Sequence, residues 1–176
     1  HQFDLCRMWA PFTGPGHWPD ADMLPIGKLS IRTDIPELTP RRSRFTPDEL
    51  KTMMTLWCMF RSPLMIGGNL PDMTPEELSL LTNKEVIAIN QKTSNNREIY
   101  RSENVIVWCA EYPSSQDFAL AFFNTGEQEI RFRPEISSYG LNGKFMTTNL
   151  WNKEAVSPEE ILIPPHGCVL LKFQKI

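Results

Sequence analysis

Two short strings, Thr46-Pro47-Asp48-Glu49-Leu50 and Thr74-Pro75-Glu76-Glu77-Leu78, constrain the fold of this chain more than any other feature. Each holds a hydroxyl residue suited to cap the first helical turn, a proline at the first helical position, and a glutamate that can reach back to the cap. Each therefore starts a helix. Leu50, Met53, Met54 and Trp57 follow the first start at helical spacing, and Ser62-Pro63 ends that helix, since proline disfavours helical geometry in the residue before it. Leu78, Leu80 and Leu81 follow the second. Apolar runs precede both helices: Met23 to Ile26, then Pro63-Leu64-Met65-Ile66 closed by Gly67-Gly68. Such runs suit strands buried on both faces, as in a parallel sheet. Residues 21–91 thus read as strand, helix, strand, helix. Two such units cannot cover their own strands, so this half belongs to a larger α/β sheet or barrel.

The pattern changes near residue 91. Val105 to Cys109, Phe118 to Phe123 and Val169 to Phe173 are β-rich, and Glu129 to Arg133 alternates polar with apolar. Turn residues such as Asn124-Thr125-Gly126, Asn142-Gly143 and Pro164-Pro165-His166-Gly167 divide them. Short strands at this spacing predict an antiparallel β-sandwich. Residues 92–97, Lys-Thr-Ser-Asn-Asn-Arg, are polar and read as a linker. The expected organisation is one unit over 1–91 and a second over 92–176. Ser157-Pro158-Glu159-Glu160 imitates a helix start, but too little chain follows for more than a turn.

The 176 residues carry a net charge of -3, so nothing in the charge favours nucleic acid as a partner. No apolar run approaches the roughly 20 residues that span a bilayer, so no membrane partner is expected either. The chain starts with His1 and no leader follows it, which reads as a piece whose upstream segment, and with it any address, lies elsewhere. Cys6, Cys58, Cys109 and Cys168 lie far apart, a spacing that suggests no metal ion; no cofactor is expected. Cys58 and Cys109 read as buried free thiols, with a disulfide left open.

Chemistry is densest in 14–27, Gly-Pro-Gly-His-Trp-Pro-Asp-Ala-Asp-Met-Leu-Pro-Ile-Gly. If 20–24 is extended, Asp20 and Asp22 point to one side, because side chains alternate along a strand. Carboxylates there accept hydrogen bonds from vicinal hydroxyls, and Trp18 offers a face to a sugar ring. The competing reading is a tight turn in which Asp20 caps backbone amides and Trp18 is core. The long segment 28–45 carries Lys28, Arg32, Arg41, Arg42 and Arg44, and reads as a solvated loop, although loops of this length are often functional. His1, His17 and His166 come with no nucleophile motif, which argues against a hydrolase triad. Ser62 and Gly67-Gly68 lack the lysine and spacing of a phosphate loop.

In 16–27 the chain resembles the glycoside hydrolases of family 27, which include α-galactosidases and α-N-acetylgalactosaminidases. The family's Gly-Trp, then Asp-x-Asp-Met-Leu and a glycine, appears as GHWPDADMLPIG. LWCMFRSPLMIGGNL (56–70) resembles the family's helix and final barrel strand, and LLTNKEVIAINQ (80–91) its last barrel helix. The resemblance implies that this chain is a C-terminal piece. It would hold the last two βα units of a (β/α)8 TIM barrel, with strand seven in 16–27 and strand eight in 63–67, followed by the β-sandwich. Barrel active sites lie at the C-terminal ends of the strands. The family's two catalytic aspartates sit near the ends of strands four and six, both of which would precede His1. No catalytic residue is therefore assigned here.

Asp22 matches a family position that binds galactose, as an acceptor rather than nucleophile, and Met23 one that forms an apolar wall. Trp18 and Asp20 follow as supports of the site. The implied partner is an α-galactoside or related oligosaccharide. A secreted, periplasmic or lysosome-like compartment would fit the parent enzyme. Pro19, Ala21 and Arg61-Ser62 depart from many relatives, which leaves galactose, N-acetylgalactosamine and arabinopyranoside open. The alternative from another class is a non-catalytic carbohydrate-binding or structural β module. There Trp108, Tyr139 or Trp151 forms a sugar platform or fills the core. An incomplete barrel also implies self-association through its apolar side.

Overall fold

The structure, a computed structural model of the chain, describes residues 1–32 and 34–176; Thr33, in the 28–45 segment, lies outside the described residues. The chain opens with α1 (Gln2–Trp9), a helix that the sequence reading did not anticipate. Tertiary contacts hold it: Phe3 meets Phe123 edge-on at 5.0 Å, and Asp4 pairs with Arg101 at 3.2 Å. The 28–45 segment is not wholly irregular, since β1 (Lys28–Leu29) and β2 (Arg41–Arg42) pair as a small antiparallel hairpin.

Both expected capping boxes form. At the head of α2 (Pro47–Phe60), Thr46 Oγ1 accepts the Glu49 N–H at 3.3 Å and Glu49 Oε2 accepts the Thr46 N–H at 2.7 Å. Thr74 and Glu77 repeat the exchange at 3.3 and 2.9 Å before α3 (Pro75–Leu81). The expected last helix is two. After α3 the chain breaks at Thr82-Asn83 and resumes as α4 (Lys84–Lys92). Asn83 causes the restart, its Oδ1 accepting the Glu85 and Val86 amides while its Nδ2 donates to the Leu150 carbonyl.

The strands expected at Met23–Ile26 and Leu64–Ile66 meet, in parallel, but in a single bridge between Leu24 and Ile66. The Leu24 N–H donates to Met65 O at 2.7 Å and the Gly67 N–H to Leu24 O at 2.9 Å. Among the described residues these two strands pair only with each other. Gly68 is obligatory at the crossing, because a Cβ there would lie 1.7 Å from the Ile26 carbonyl oxygen.

The second half contains β3 (Ser94–Arg101), β4 (Val105–Glu111), β5 (Phe118–Asn124), β6 (Ile130–Phe132), β7 (Phe145–Asn149), β8 (Ile161–Ile163) and β9 (Cys168–Lys175). Five form an antiparallel sheet in the order β3-β4-β5-β9-β7, and β6 pairs with β8 in a second sheet. Val107, Cys109, Leu120, Phe122 and Phe173 face Ile161 and Ile163 of the small sheet. Ile106, Trp108, Ala121 and Phe123 face the other way, joining Met54, Met59 and Phe60 of α2 and Val86 and Ile89 of α4 in one core. The sheet is covered on both faces, which is why β4 and β5 read as continuous apolar runs.

The polar 92–97 segment is not a linker, since β3 begins at Ser94. Its polar residues bind the two halves: Asn96 Nδ2 donates to the Met59 carbonyl at 2.8 Å, and Thr93 Oγ1 donates to Asn96 Oδ1 at 3.0 Å. All four cysteines are free and buried. Burial pushes the thiols of Cys6, Cys58 and Cys109 up to about 12 and that of Cys168 to about 11. Among the described residues no helix is long and apolar enough to cross a membrane.

Candidate functional site

The 14–27 segment begins as a tight turn. Gly14 and His17 exchange backbone hydrogen bonds at 3.0 and 2.8 Å, and Gly16 supplies the positive φ of 85° between them. The chain leaves the turn at Trp18, which is not core: it is 44% exposed, and the Arg61 guanidinium lies 4.4 Å from its ring centroid. Burial lowers the Arg61 pKa below the usual arginine value.

The extended 20–24 geometry does not form. Asp22 has a φ of 75°, in the left-handed region that only Asn, Asp and Gly enter readily. Asp20 and Asp22 therefore do not line one strand face. Asp20 Oδ1 accepts the Asp22 N–H at 2.8 Å, the capping role of the turn reading. Asp22 Oδ1 accepts the Met23 N–H at 2.6 Å, and its Oδ2 has no partner among the described residues. Asp22 and Met23 are exposed side by side, with Met23 Cβ over Gly67.

Residues outside the segment hold it, and the sequence reading did not assign them this role. Ser62 Oγ accepts the Ala21 N–H at 2.9 Å, and the Trp57 indole donates to the Asp22 carbonyl at 2.7 Å. Trp57 was legible only as a member of the apolar helix face; the polar end of its indole left no periodic signal.

The charges of the 28–45 segment are partly tied in rather than simply solvated. Lys28 pairs with Asp72 at 3.4 Å, and Arg42 holds both Glu77 oxygens at 2.9 and 3.0 Å. The amide of Asn69, then Lys28, holds the Asp72 carboxyl below its ordinary pKa. The three aromatics weighed as a platform are packed instead. Trp108 is fully buried, edge-on to Phe60. Trp151 donates its indole N–H to Thr55 Oγ1 at 3.1 Å, and Tyr139 packs on Tyr100.

A cavity of about 750 Å³ between α2, α3 and Trp151 includes no residue of 14–27. The segment borders two smaller hollows. One of about 290 Å³ includes Trp9, Asp20 and Phe60, and the other, of about 300 Å³, includes Trp18, Arg61 and Asn90. The segment thus exposes the Asp22 carboxylate with the Met23 thioether beside it in sequence, and the Trp18 indole against the Arg61 guanidinium.

A family described as alpha galactosidase A matches residues 3–92, and one described as the alpha galactosidase C-terminal beta sandwich domain matches residues 102–173. Among solved structures, a β-L-arabinopyranosidase of family 27 from Geobacillus stearothermophilus superposes with a TM-score of 0.90 at 38% identity, covering 98% of this chain and 40% of that one. Alpha-galactosidase D of Emericella nidulans is 29% identical over 170 residues, 92% of this chain and 24% of the relative. Alpha-N-acetylgalactosaminidase of Mus musculus is 32% identical over 134 residues, 75% of this chain and 29% of the relative. The chain thus spans less than half the length of each of these proteins.

Proposed function

The chain belongs to the alpha-galactosidase family, glycoside hydrolase family 27, and on that premise we propose that it is the C-terminal part of a retaining hydrolase of terminal α-galactosides. Retaining hydrolysis needs two carboxyl groups about 5–5.5 Å apart on opposite sides of the scissile bond. Asp20 and Asp22 are two residues apart, and Asp20 is engaged with the backbone of Asp22, so they do not flank a substrate. The nucleophile and the acid-base come from chain that precedes His1. Asp22 accepts sugar hydroxyls, Met23 packs on the ring, Trp18 supports the wall, and Asp20 shapes the turn. One observation carries this reading: the Asp22 carboxylate, held outward beside Met23 on strained backbone. The domains divide at residues 91 and 92, and residues 1–176 alone are inactive. Sustained hydrolysis of an aryl α-galactoside by the pure chain would refute this division of labour.

A second reading makes the parent a β-L-arabinopyranosidase, favoured by the 38% identity to the Geobacillus stearothermophilus enzyme over nearly the whole chain. An arabinopyranose lacks the exocyclic hydroxymethyl of galactose, so the choice depends on the pocket wall facing that group. Comparing kcat/KM for aryl α-galactoside and aryl β-L-arabinopyranoside, on the chain joined to its upstream barrel, separates the two. We also assign self-association to the exposed apolar residues of the α/β half, among them Met8, Trp9, Phe12 and Met65.

A further inference from the structure

The C-terminal turn of α2 grips the 18–22 segment at three points, by three kinds of contact. Arg61 stacks on Trp18, Ser62 Oγ accepts the Ala21 N–H, and the Trp57 indole donates to the Asp22 carbonyl. The last two bracket Asp22, whose left-handed φ most side chains avoid and Asp tolerates better than most. The local bonds, from Asp22 N–H to Asp20 and from Met23 N–H to Asp22, are open to any mobile loop of this sequence. The bonds from α2 are not, because they join residues 41 and 35 positions apart.

The gripping turn is itself braced. Arg61 ends α2 with a φ of 60°, and its Nε donates to the Asn90 carbonyl at 3.0 Å. Asn90 Nδ2 returns a bond to the Ser62 carbonyl at 2.7 Å. Ser62 is fully buried, and Trp57 nearly so. Polar atoms in such surroundings lose much by going unpaired, so each bond resists being exchanged for water.

We propose that Trp57 and Ser62 are positioning residues for Asp22, holding the backbone on either side of it so that the left-handed turn persists and the carboxylate stays outward beside Met23. The consequence for sugar binding rests on the reading of Asp22 as a hydroxyl acceptor; the positioning itself does not. A purely structural role predicts otherwise: removing either donor or acceptor would lower stability and leave the Asp22 conformation alone.

Isotope-labelled chain 1–176 tests this by NMR. The readout is the intra-residue cross-peak between the amide and α protons of Asp22, which is strong only at positive φ. Trp57→Phe keeps an aromatic ring and removes the N–H; Ser62→Ala removes the hydroxyl, and Ser62→Thr restores it. Loss of one such bond shifts a local equilibrium by about fivefold. The cross-peak should weaken accordingly in Trp57→Phe and Ser62→Ala and recover in Ser62→Thr. An unchanged cross-peak in both folded deletion variants overturns the proposal. Should those variants fail to fold, hydrogen exchange in the unaltered chain decides: the Ala21 amide and Trp57 indole must be protected, and exchange at free-peptide rates overturns it. Methyl α-galactoside, titrated in parallel, addresses the sugar reading. If Asp22 and Met23 amides ignore it while the cross-peak results hold, the sugar reading fails and the positioning stands. If they respond, the deletion variants should bind about fivefold more weakly.

Discussion

The five-stranded sheet and the strand pair at Leu24 and Ile66 are both built of apolar residues, yet their surroundings differ. The sheet lies between α2 and α4 on one face and the β6–β8 pair on the other, and Trp108, Phe122, Phe123 and Phe173 are sealed. The parallel pair is covered by α2 on one side, while Met23, Met65 and Ile66 face outward. A sheet that finds both covers within the chain forms long ladders. A strand pair that does not shows one bridge and spends its exposed residues on the candidate site. The strained Asp22, the site's outward carboxylate, belongs to the uncovered region and is held by helix side chains rather than by a ladder.

Four measurements bear on this contrast. Phe122→Ala, which empties the core between the two sheets, should cost about 3–5 kcal/mol in denaturant unfolding, whereas Met23→Ala on the open wall should leave the midpoint nearly unchanged. Equal losses would mean that the wall is buried in solution by a partner copy. Gly68→Ala should cost about 3 kcal/mol, because its methyl group meets the Ile26 backbone rather than a yielding side chain. A neutral result would mean that the parallel crossing is looser than the bridge implies.

The third is alkaline unfolding. The four thiols ionise only at about 11–12 in the folded chain against an ordinary 9, and burial likewise raises Tyr112 to about 12 from 10. Their folded values are raised, so this stability is complete below pH 9 and declines from there towards 12, where the unfolded chain ionises first. Cys6 and Cys58 lie in the α/β half and Cys109 and Cys168 in the β half, and all belong to or adjoin the sealed cores. A single alkaline transition by fluorescence and circular dichroism is therefore expected, and two separated transitions would break the picture of one shared core. The smallest effects belong to the caps: Thr46→Ala and Thr74→Ala should each cost about 1 kcal/mol.

The strings Thr46–Leu50 and Thr74–Leu78 announced two helices because capping is a local bargain, complete within four residues. The β-rich runs announced the sandwich, since a strand buried on both faces must be apolar throughout. Other elements left no such mark. α1 depends on Phe3 meeting Phe123, and β3 on polar residues that bond to Met59 and β4. The break between α3 and α4 turns on one asparagine that also reaches Leu150. Motif GHWPDADML was legible as chemistry, but its residues left the conformation open between an extended strand and a tight turn.

The residues alone determined where α2 and α3 begin, that β4 and β5 are sealed, and which segment carries a carboxylate, an indole and a thioether together. Tertiary structure alone decided that Asp20 caps rather than faces a ligand, that Asp22 turns left-handed, and that Trp57 and Ser62 hold it there. The physical reason is range. Caps and periodicity act within a few residues. The conformation of Asp22 is set by partners in and just after α2, which the sequence places 35 and 40 residues away.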